Sequence, residues 1–196
     1  MVSNFKYITF SIFHVSDFQK VIDVVKDIFK EELEDGKADI YAEIPIINEY
    51  INPDSGGNHF PKFSCWQCSA YPDKTFFISN YEDGLPNLCK LIQKYVECNL
   101  TMCALSAETE HPMFRFYFSD SHLKERIIQV YKEDKWIFYE KGTPLVIENT
   151  NYYKKRFVKE RLNNSIIKEY LLKQGVDFFM IDSQITKGYI FRRKKW

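Results

Sequence analysis

The sequence has no run of apolar residues that approaches the roughly 20 needed to cross a bilayer. Its opening stretch, MVSNFKYITF, also lacks the apolar segment and the small-residue cleavage site of a secretory signal peptide. We therefore expect a cytoplasmic protein that does not associate with membranes.

Cysteine is scarce and odd in number, since the chain of 196 residues has five. A chain of this length does not need disulfides, and a reducing compartment keeps thiols free. Cys65 and Cys68 form a Cys-x-x-Cys pair, a spacing found in redox and zinc sites. If residues 62–70 form a strand, however, the two thiols point to opposite faces and cannot share a metal or a disulfide. We expect strand cysteines that are buried or half-buried, with zinc or redox chemistry as the alternative.

Signature motifs of catalysis are also missing. The sequence has no Walker A loop, no dinucleotide-binding glycine pattern, no nucleophile elbow and no HExxH motif. Its four histidines are isolated; among them, His59 in the loop SGGNHF is considered as a catalytic residue, with simple solvation as the alternative. Glu140 is the carboxylate nearest to an apolar setting, although a strand would direct it outward. We expect no enzyme activity, no metal and no cofactor.

Predicted strands occur in groups along the sequence and do not alternate strictly with predicted helices. Alternating apolar residues predict strands near 4–13, 62–70, 74–79, 99–106, 113–119, 124–132 and 135–141. Apolar residues at helical spacing predict four helices: one from a Ser16–Gln19 capping box to Gly36, one beginning around Pro86, and two over 151–162 and 164–174, the last stopped by Gly175. Residues 38–51 predict an edge strand or an irregular connection, and TPLVIEN, VDFFMID and GYIFRRKKW predict further extended segments. We expect a single α+β domain, 1–196, with a mainly antiparallel sheet and about four helices packed on it.

Charge is unevenly distributed although the formal net charge is zero. Residues 17–54 contain 11 acidic and 4 basic residues, whereas residues 151–196 contain 4 acidic and 12 basic ones. The chain therefore has an acidic N-terminal part (1–54) and a basic C-terminal helical part (151–196). Such an asymmetry concerns partners and long-range fields more than the fold.

Two charged clusters lie at helix ends where the helix dipole opposes them. The acidic cluster, Glu31, Glu32, Glu34 and Asp35, ends the first predicted helix, and Lys154, Lys155 and Arg156 open the third. Each such charge costs about 0.3–1 kcal/mol at low salt. Because natural sequences tend to break local rules at functional sites, both clusters are candidate binding surfaces. The alternatives are that they are solvated charged faces, or that the two clusters meet in the fold.

The acidic cluster, extended by Asp39, would suit a basic partner such as the active-site groove of a nuclease. Tyr41 or Tyr50 would then supply an aromatic anchor. A second hypothesis is a nucleic-acid-binding module that uses the basic C-terminal helices with Tyr152, Tyr153 and Trp196. The sequence pI of about 6.9 is low for that class.

Three segments within residues 75–179 carry a family resemblance. They are TFFISNYEDGLPNLCKLI, RIIQVYKEDKWIFYEKGTPLVIEN and YYKKRFVKERLNNSIIKEYLLKQGVDF. Their order of strands and helices, with a Trp-x-Phe-Tyr-Glu hairpin, resembles immunity proteins encoded beside bacterial contact-dependent growth inhibition and other polymorphic toxins. The resemblance implies a small cytoplasmic protein without enzyme activity, which binds the toxin domain of a neighbouring cell's effector and blocks its active site. Such toxins are often nucleases, including tRNA-cleaving RNases.

Overall fold

The computed structural model describes residues 5–43, 59–108 and 110–196. Its nine strands are β1 Tyr7–His14, β2 Ala38–Ala42, β3 Lys62–Cys68, β4 Thr75–Ser79, β5 Asn99–Ser106, β6 Met113–Ser119, β7 Glu125–Lys132, β8 Trp136–Lys141 and β9 Ile185–Arg193. The α-helices are α1 Phe18–Ile28, α2 Lys30–Glu34, α3 Pro86–Val96 and α4 Asn164–Lys173. Short 3-10 turns occupy Tyr152–Lys154, Val158–Glu160 and Phe178–Met180.

All nine strands belong to one sheet in the order β2-β9-β3-β4-β1-β5-β6-β7-β8. Every neighbouring pair is antiparallel. The predicted α+β class, with a mainly antiparallel sheet and four helices, is therefore confirmed. The order also places β9, near the end of the chain, between β2 and β3, so the acidic and basic parts of the sequence meet at one sheet edge.

Two apolar cores lie on opposite faces of the sheet. One face packs against α1, α2 and α3, with Phe63, Phe77 and Phe191 among its buried side chains. The rings of Phe63 and Phe191 stack with their centroids 4.7 Å apart. The other face packs against α4 and its flanking turns, where the Tyr170 ring meets Phe116 edge-on at 5.4 Å. Trp66 on β3 connects the sheet to the turn that follows α4, because its Nε1 donates to the Ile181 carbonyl at 2.7 Å.

The boundaries of strands and of two helices follow the local pattern closely. β6 covers the predicted range, 113–119, and its neighbouring side chains point to opposite cores, with Phe116 in the core under α4 and Tyr117 in the core under α1–α3. Pro86 is the first residue of α3, where a missing N–H costs nothing. Helix α4 ends just before Gly175, whose φ of +76° favours glycine.

The first predicted helix is wrong in two respects. Its N-cap is Asp17 and not Ser16, because the Asp17 carboxylate accepts from the Lys20 N–H at 3.1 Å, while Gln19 instead donates to Asp23. The helix also breaks at Phe29, which has φ −107° and ψ 23°. The Phe29 ring packs on Phe191 with centroids 4.3 Å apart, so tertiary packing interrupts a segment whose local pattern is continuous.

The helix predicted over 151–162 is also wrong. In its place, two 3-10 turns flank a short stretch in which Lys155 and Phe157 are extended. Tyr153 and Leu162 are buried, and Val158 packs against the same core. Positions 153 and 158 are five residues apart and would lie about 140° apart around an α-helix, so one straight helix could not bury both.

Two of the predicted extended segments are turns. In VDFFMID, Phe178 and Ile181 are buried while Phe179 and Met180 are exposed, and the Asp177 carboxylate caps the Phe179 N–H at 2.9 Å. In TPLVIEN, the Glu148 N–H bonds to the Leu145 carbonyl at 3.0 Å, which closes a turn. The third segment, GYIFRRKKW, does form the end of β9. β2 is an edge strand as predicted, and the remainder of 38–51 beyond residue 43 lies outside the described residues.

Candidate protein-binding surface

The acidic cluster lies on α2 and on the turn into β2, at one edge of the sheet. Because the helix breaks at Phe29, Glu31 and Glu32 fall in the first turn of α2, where the dipole favours acidic side chains. Only Glu34, the last residue of α2, and Asp35, its C-cap, are at the unfavourable end. The prediction that the helix dipole opposes all four acidic residues is therefore wrong for Glu31 and Glu32.

Ion pairs neutralise much of this cluster. Arg193 and Lys194, at the end of the chain, reach Glu32 at 3.8 Å and Asp39 at 2.9 Å. Lys37 contacts Asp35 at 2.8 Å, and Lys30 lies 3.9 Å from Glu34. The hydrogen bond and charge of Asp35 raise the pKa of Lys37. The acidic cluster thus meets basic residues, as one of the sequence alternatives held, but these residues follow β9 and are not Lys154, Lys155 and Arg156.

An open groove of about 620 Å³ runs between α1–α2 and the β2 edge. We call it the edge groove. It brings together Glu34, Asp39 and Tyr41 from the sequence-based site, and Tyr41 is 38% exposed. Its remaining lining residues are Lys26, Asp27, Lys30, Leu33, Ala38 and Ile40. Of the predicted site residues, Glu31, Glu32 and Asp35 do not line it, and Tyr50 lies outside the described residues.

A second groove of about 540 Å³ lies between α1 and α3 and shares Asp27 with the edge groove. Its walls are mainly apolar and include Val24, Ile28, Leu91 and Tyr95. Leu91 and Tyr95 are both exposed. Helical periodicity can show that Leu91 and Tyr95 share one face of α3, but not how far the neighbouring helix covers that face.

The cysteine pair behaves as the strand argument predicted. Cys65 belongs to the core under α1–α3 and Cys68 to the core under α4, so their thiols lie on opposite faces. All five cysteines are buried and free. Burial raises the pKa of Cys89 to about 12 and that of Cys98 to about 11, which disfavours the reactive thiolate. In the described ranges, no group of three or more His, Cys, Asp or Glu side chains is arranged to hold a metal ion.

The histidine and carboxylate candidates form packing contacts and hydrogen bonds with neighbouring residues of the fold. The His59 ring packs on Tyr81 with centroids 4.3 Å apart, and its Nε2 lies 3.1 Å from the Asn80 carbonyl oxygen. Burial lowers the pKa of His14 to about 4. Glu140 is half-exposed and accepts a hydrogen bond from Arg126 at 2.8 Å.

The aromatic residues of the nucleic-acid hypothesis are dispersed. Tyr153 is only 7% exposed, so its ring cannot stack on a base. Its hydroxyl forms hydrogen bonds with Glu148 and Tyr170. Tyr152 is half-buried and donates to Glu169. Trp196 is exposed and packs on Phe60, beside β9. That hypothesis therefore loses Tyr153 as a stacking residue, whereas Lys154, Lys155 and Arg156 remain exposed at the surface.

Comparison of the chain with protein-family models, with curated proteins and with solved structures gives no significant match. Within the ranges that the structure describes, none of the helices has the length and apolar character required to cross a bilayer. Any statement of function therefore depends on the residues and surfaces described above.

Proposed function

We propose that this chain is a cytoplasmic immunity protein, which binds a bacterial toxin domain and blocks its active site without catalysing a reaction. The toxin class that best suits an acidic surface is a nuclease, whose groove is basic because it binds phosphates. The resemblance of residues 75–179 to immunity proteins supports the family, and the edge groove supports the location of the interface.

The observation that carries the proposal is the composition of the edge groove. Protein interfaces gain most of their energy from a few aromatic or arginine anchors beside apolar surface, with charges around them. Tyr41 is an exposed aromatic side chain beside the apolar Leu33 and Ile40, and Glu34 and Asp39 lie in the same groove. The neighbouring groove adds Tyr95 and Leu91, so the partly apolar surface continues across α1.

The ion pairs limit how much the acidic residues can contribute to the affinity for a basic partner. The exposed pairs of Glu34, Asp35 and Asp39 are worth only about 0–1 kcal/mol each, so a basic partner could exchange them at small cost. Glu31 has no ion pair with any described residue, and the Lys30–Glu34 contact is long and exposed. We therefore expect these charges to speed association more than to hold the complex together.

The decisive experiment begins with the gene immediately upstream. If it encodes a large secreted effector, its C-terminal domain should arrest growth when expressed alone, and co-expression of this chain should restore growth. Binding of the two purified proteins is then measured by calorimetry and by stopped flow. Tyr41→Ala should weaken affinity by roughly 30-fold, the size of a typical aromatic anchor. Glu34→Lys with Asp39→Lys should mainly slow association, more so at low salt.

A matched control is available on the opposite edge of the sheet. Tyr139 on β8 is 46% exposed, close to the value for Tyr41, so Tyr139→Ala removes a comparable side chain far from the groove. Failure of the unmodified chain to protect cells or to bind the toxin would contradict the immunity proposal. Full protection by the Tyr41 and charge-reversed variants would leave immunity intact and exclude the edge groove as the interface.

A further inference from the structure

The segment from residue 154 to residue 161 carries the largest uncompensated charge we find in the described residues. It contains five cations and one acid, Glu160, within eight positions; the cations are Lys154, Lys155, Arg156, Lys159 and Arg161. Four of the five are exposed, and Arg161 is half-exposed. We call these residues the basic segment. None of its cations pairs with an acid elsewhere in the described chain, in contrast to Arg193 and Lys194.

The backbone of the basic segment is anchored to the hydrophobic core by apolar residues within and beside it. Tyr153 and Leu162, which flank it, are buried, and Val158 packs on the same core. The Nε of Arg161 donates to the Lys155 carbonyl at 3.0 Å, which ties the second 3-10 turn to the residue after the first. The backbone is therefore fixed by packing and hydrogen bonds while the charged ends remain accessible.

Aromatic rings position several of the cations. The Lys155 ammonium lies 5.1 Å from the Tyr152 ring centroid, and the Arg161 guanidinium lies 5.2 Å from that of Phe138. Arginine has five N–H donors, and the other four of Arg161 have no hydrogen-bond partner among the described residues. These groups are preorganised to receive an anion, so little side-chain entropy is lost when one binds.

Like charges so close together repel one another, and among the described residues no acid, Glu160 included, forms an ion pair with any of these cations. A polyanion would relieve the repulsion, and the side chain at the centre of the segment indicates which kind. Phe157 is 57% exposed and lies beside Arg156, whose guanidinium is 5.8 Å from its ring. An exposed ring among phosphate-binding cations is the arrangement on which single-stranded nucleic acids stack their bases. An anionic membrane is a poorer fit, because one ring offers little apolar area for insertion.

We propose that the basic segment binds single-stranded nucleic acid, with its cations on successive phosphates and Phe157 stacked on a base. The proposal is independent of toxin binding, since it uses a different part of the molecule. It also differs from a helix-based site, because the cations lie on two 3-10 turns and Tyr153 takes no part.

The test uses the full chain and a fluorescein-labelled single-stranded RNA of about 20 nucleotides, with anisotropy measured between about 50 and 200 mM salt. The variant Lys154→Gln, Lys155→Gln, Arg156→Gln should lose at least about tenfold in affinity at the lowest salt. It should also reduce the slope of log K against log salt by about 2, the value for three phosphate contacts to a single strand. Phe157→Ala should weaken binding by roughly tenfold with no change in that slope.

The matched control is the second basic stretch, altered as Arg192→Gln with Lys195→Gln. Both residues are exposed, and neither belongs to the basic segment. Circular dichroism and thermal unfolding of each variant confirm folding, and Phe157→Ala, which leaves every charge in place, serves as the second probe. Absence of RNA binding at about 50 mM salt would overturn the proposal. So would equal loss in the control variant, or binding only to phosphatidylserine vesicles.

Discussion

A buried ion pair between β7 and the turn after β8 gives the sharpest stability prediction. The Arg126 side chain is 3% exposed and that of Glu148 is 0% exposed. The Nε of Arg126 donates to Glu148 Oε1 at 3.0 Å, and its Nη2 donates to Glu148 Oε2 at 2.8 Å. Glu148 also accepts from the Leu145 N–H at 2.9 Å and from the Tyr153 hydroxyl at 2.8 Å. Although burial disfavours its charge, the hydrogen bonds that Arg126 donates to Glu148 and Glu140 raise the pKa of Arg126.

Replacement of Glu148 by alanine should therefore be severely destabilising. It leaves a buried guanidinium with half-exposed Glu140 as its one remaining carboxylate partner, and such a loss typically costs about 3–5 kcal/mol. The Leu145 N–H and the Tyr153 hydroxyl lose their acceptor as well, at about 1 kcal/mol each if they stay unpaired. For a chain of this length, each kcal/mol lowers the melting temperature by about 2–4 °C, so a fall of about 10–25 °C is expected.

The measurement is urea unfolding followed by tryptophan fluorescence, with a double-mutant cycle. Arg126→Met alone should also be costly, but Arg126→Met with Glu148→Ala should cost much less than the sum, because no buried charge remains. Lys173→Ala is the control, since it removes an exposed 2.7 Å contact to Glu169 and should cost less than about 1 kcal/mol. A loss of under 1 kcal/mol in Glu148→Ala, or strict additivity in the double variant, would refute this reasoning.

Two further predictions concern pH and backbone conformation. The half-buried His14 loses solvation in the fold and lies near Lys74, so its pKa falls from 6.5 in the unfolded chain to about 4 in the fold. The unfolded state thus binds more protons between these values, so stability should decline by roughly 2–3 kcal/mol from pH 7 to about pH 4.5. His14→Gln should remove most of that slope, and parallel urea midpoints for both proteins would contradict the assignment. Gly36 and Gly142 both have positive φ, but a Cβ on Gly36 would meet open space, whereas one on Gly142 would overlap the Glu125 carbonyl. Alanine at 36 should cost about 1–2 kcal/mol and alanine at 142 clearly more, and equal denaturant midpoints would show that the β8 turn can move aside.

The strands were predictable because their signal is local. Alternation in β6 and the paired hairpin of β7 and β8 fixed which residues share a face, and the opposite placement of Cys65 and Cys68 followed from the same period. Some errors have local causes, such as Asp17 replacing Ser16 as the N-cap, but the two largest occur where tertiary packing overrides a local pattern. Phe29 leaves its helix to pack on Phe191, and residues 151–162 give up a helix so that Tyr153 can reach Glu148 and Tyr170.

The candidate site was only partly accessible to the same reasoning. Sequence identified Glu34, Asp39 and Tyr41 as surface residues with a possible common role, and the edge groove brings these three together. It could not show that Lys194 neutralises Asp39, since the two residues are 155 positions apart. Nor could it show that Lys26 and Asp27 join the groove, because that depends on the break at Phe29.

The distribution of charge pairs separates the two proposed surfaces by mechanism. Strand order places β9 beside β2, so Glu32 and Asp39 of the acidic N-terminal part form ion pairs with Arg193 and Lys194. Glu34 and Asp39 of the edge groove are already paired with Lys30 and Lys194, and such exposed pairs contribute little energy in either state, so the affinity of a partner there should depend mainly on shape and on Tyr41. The basic segment faces no such internal competitor, so its interactions should depend steeply on salt. A salt titration of each binding event consequently distinguishes the surfaces even before any residue is replaced: a shallow dependence belongs to the edge groove and a steep one to residues 154–161.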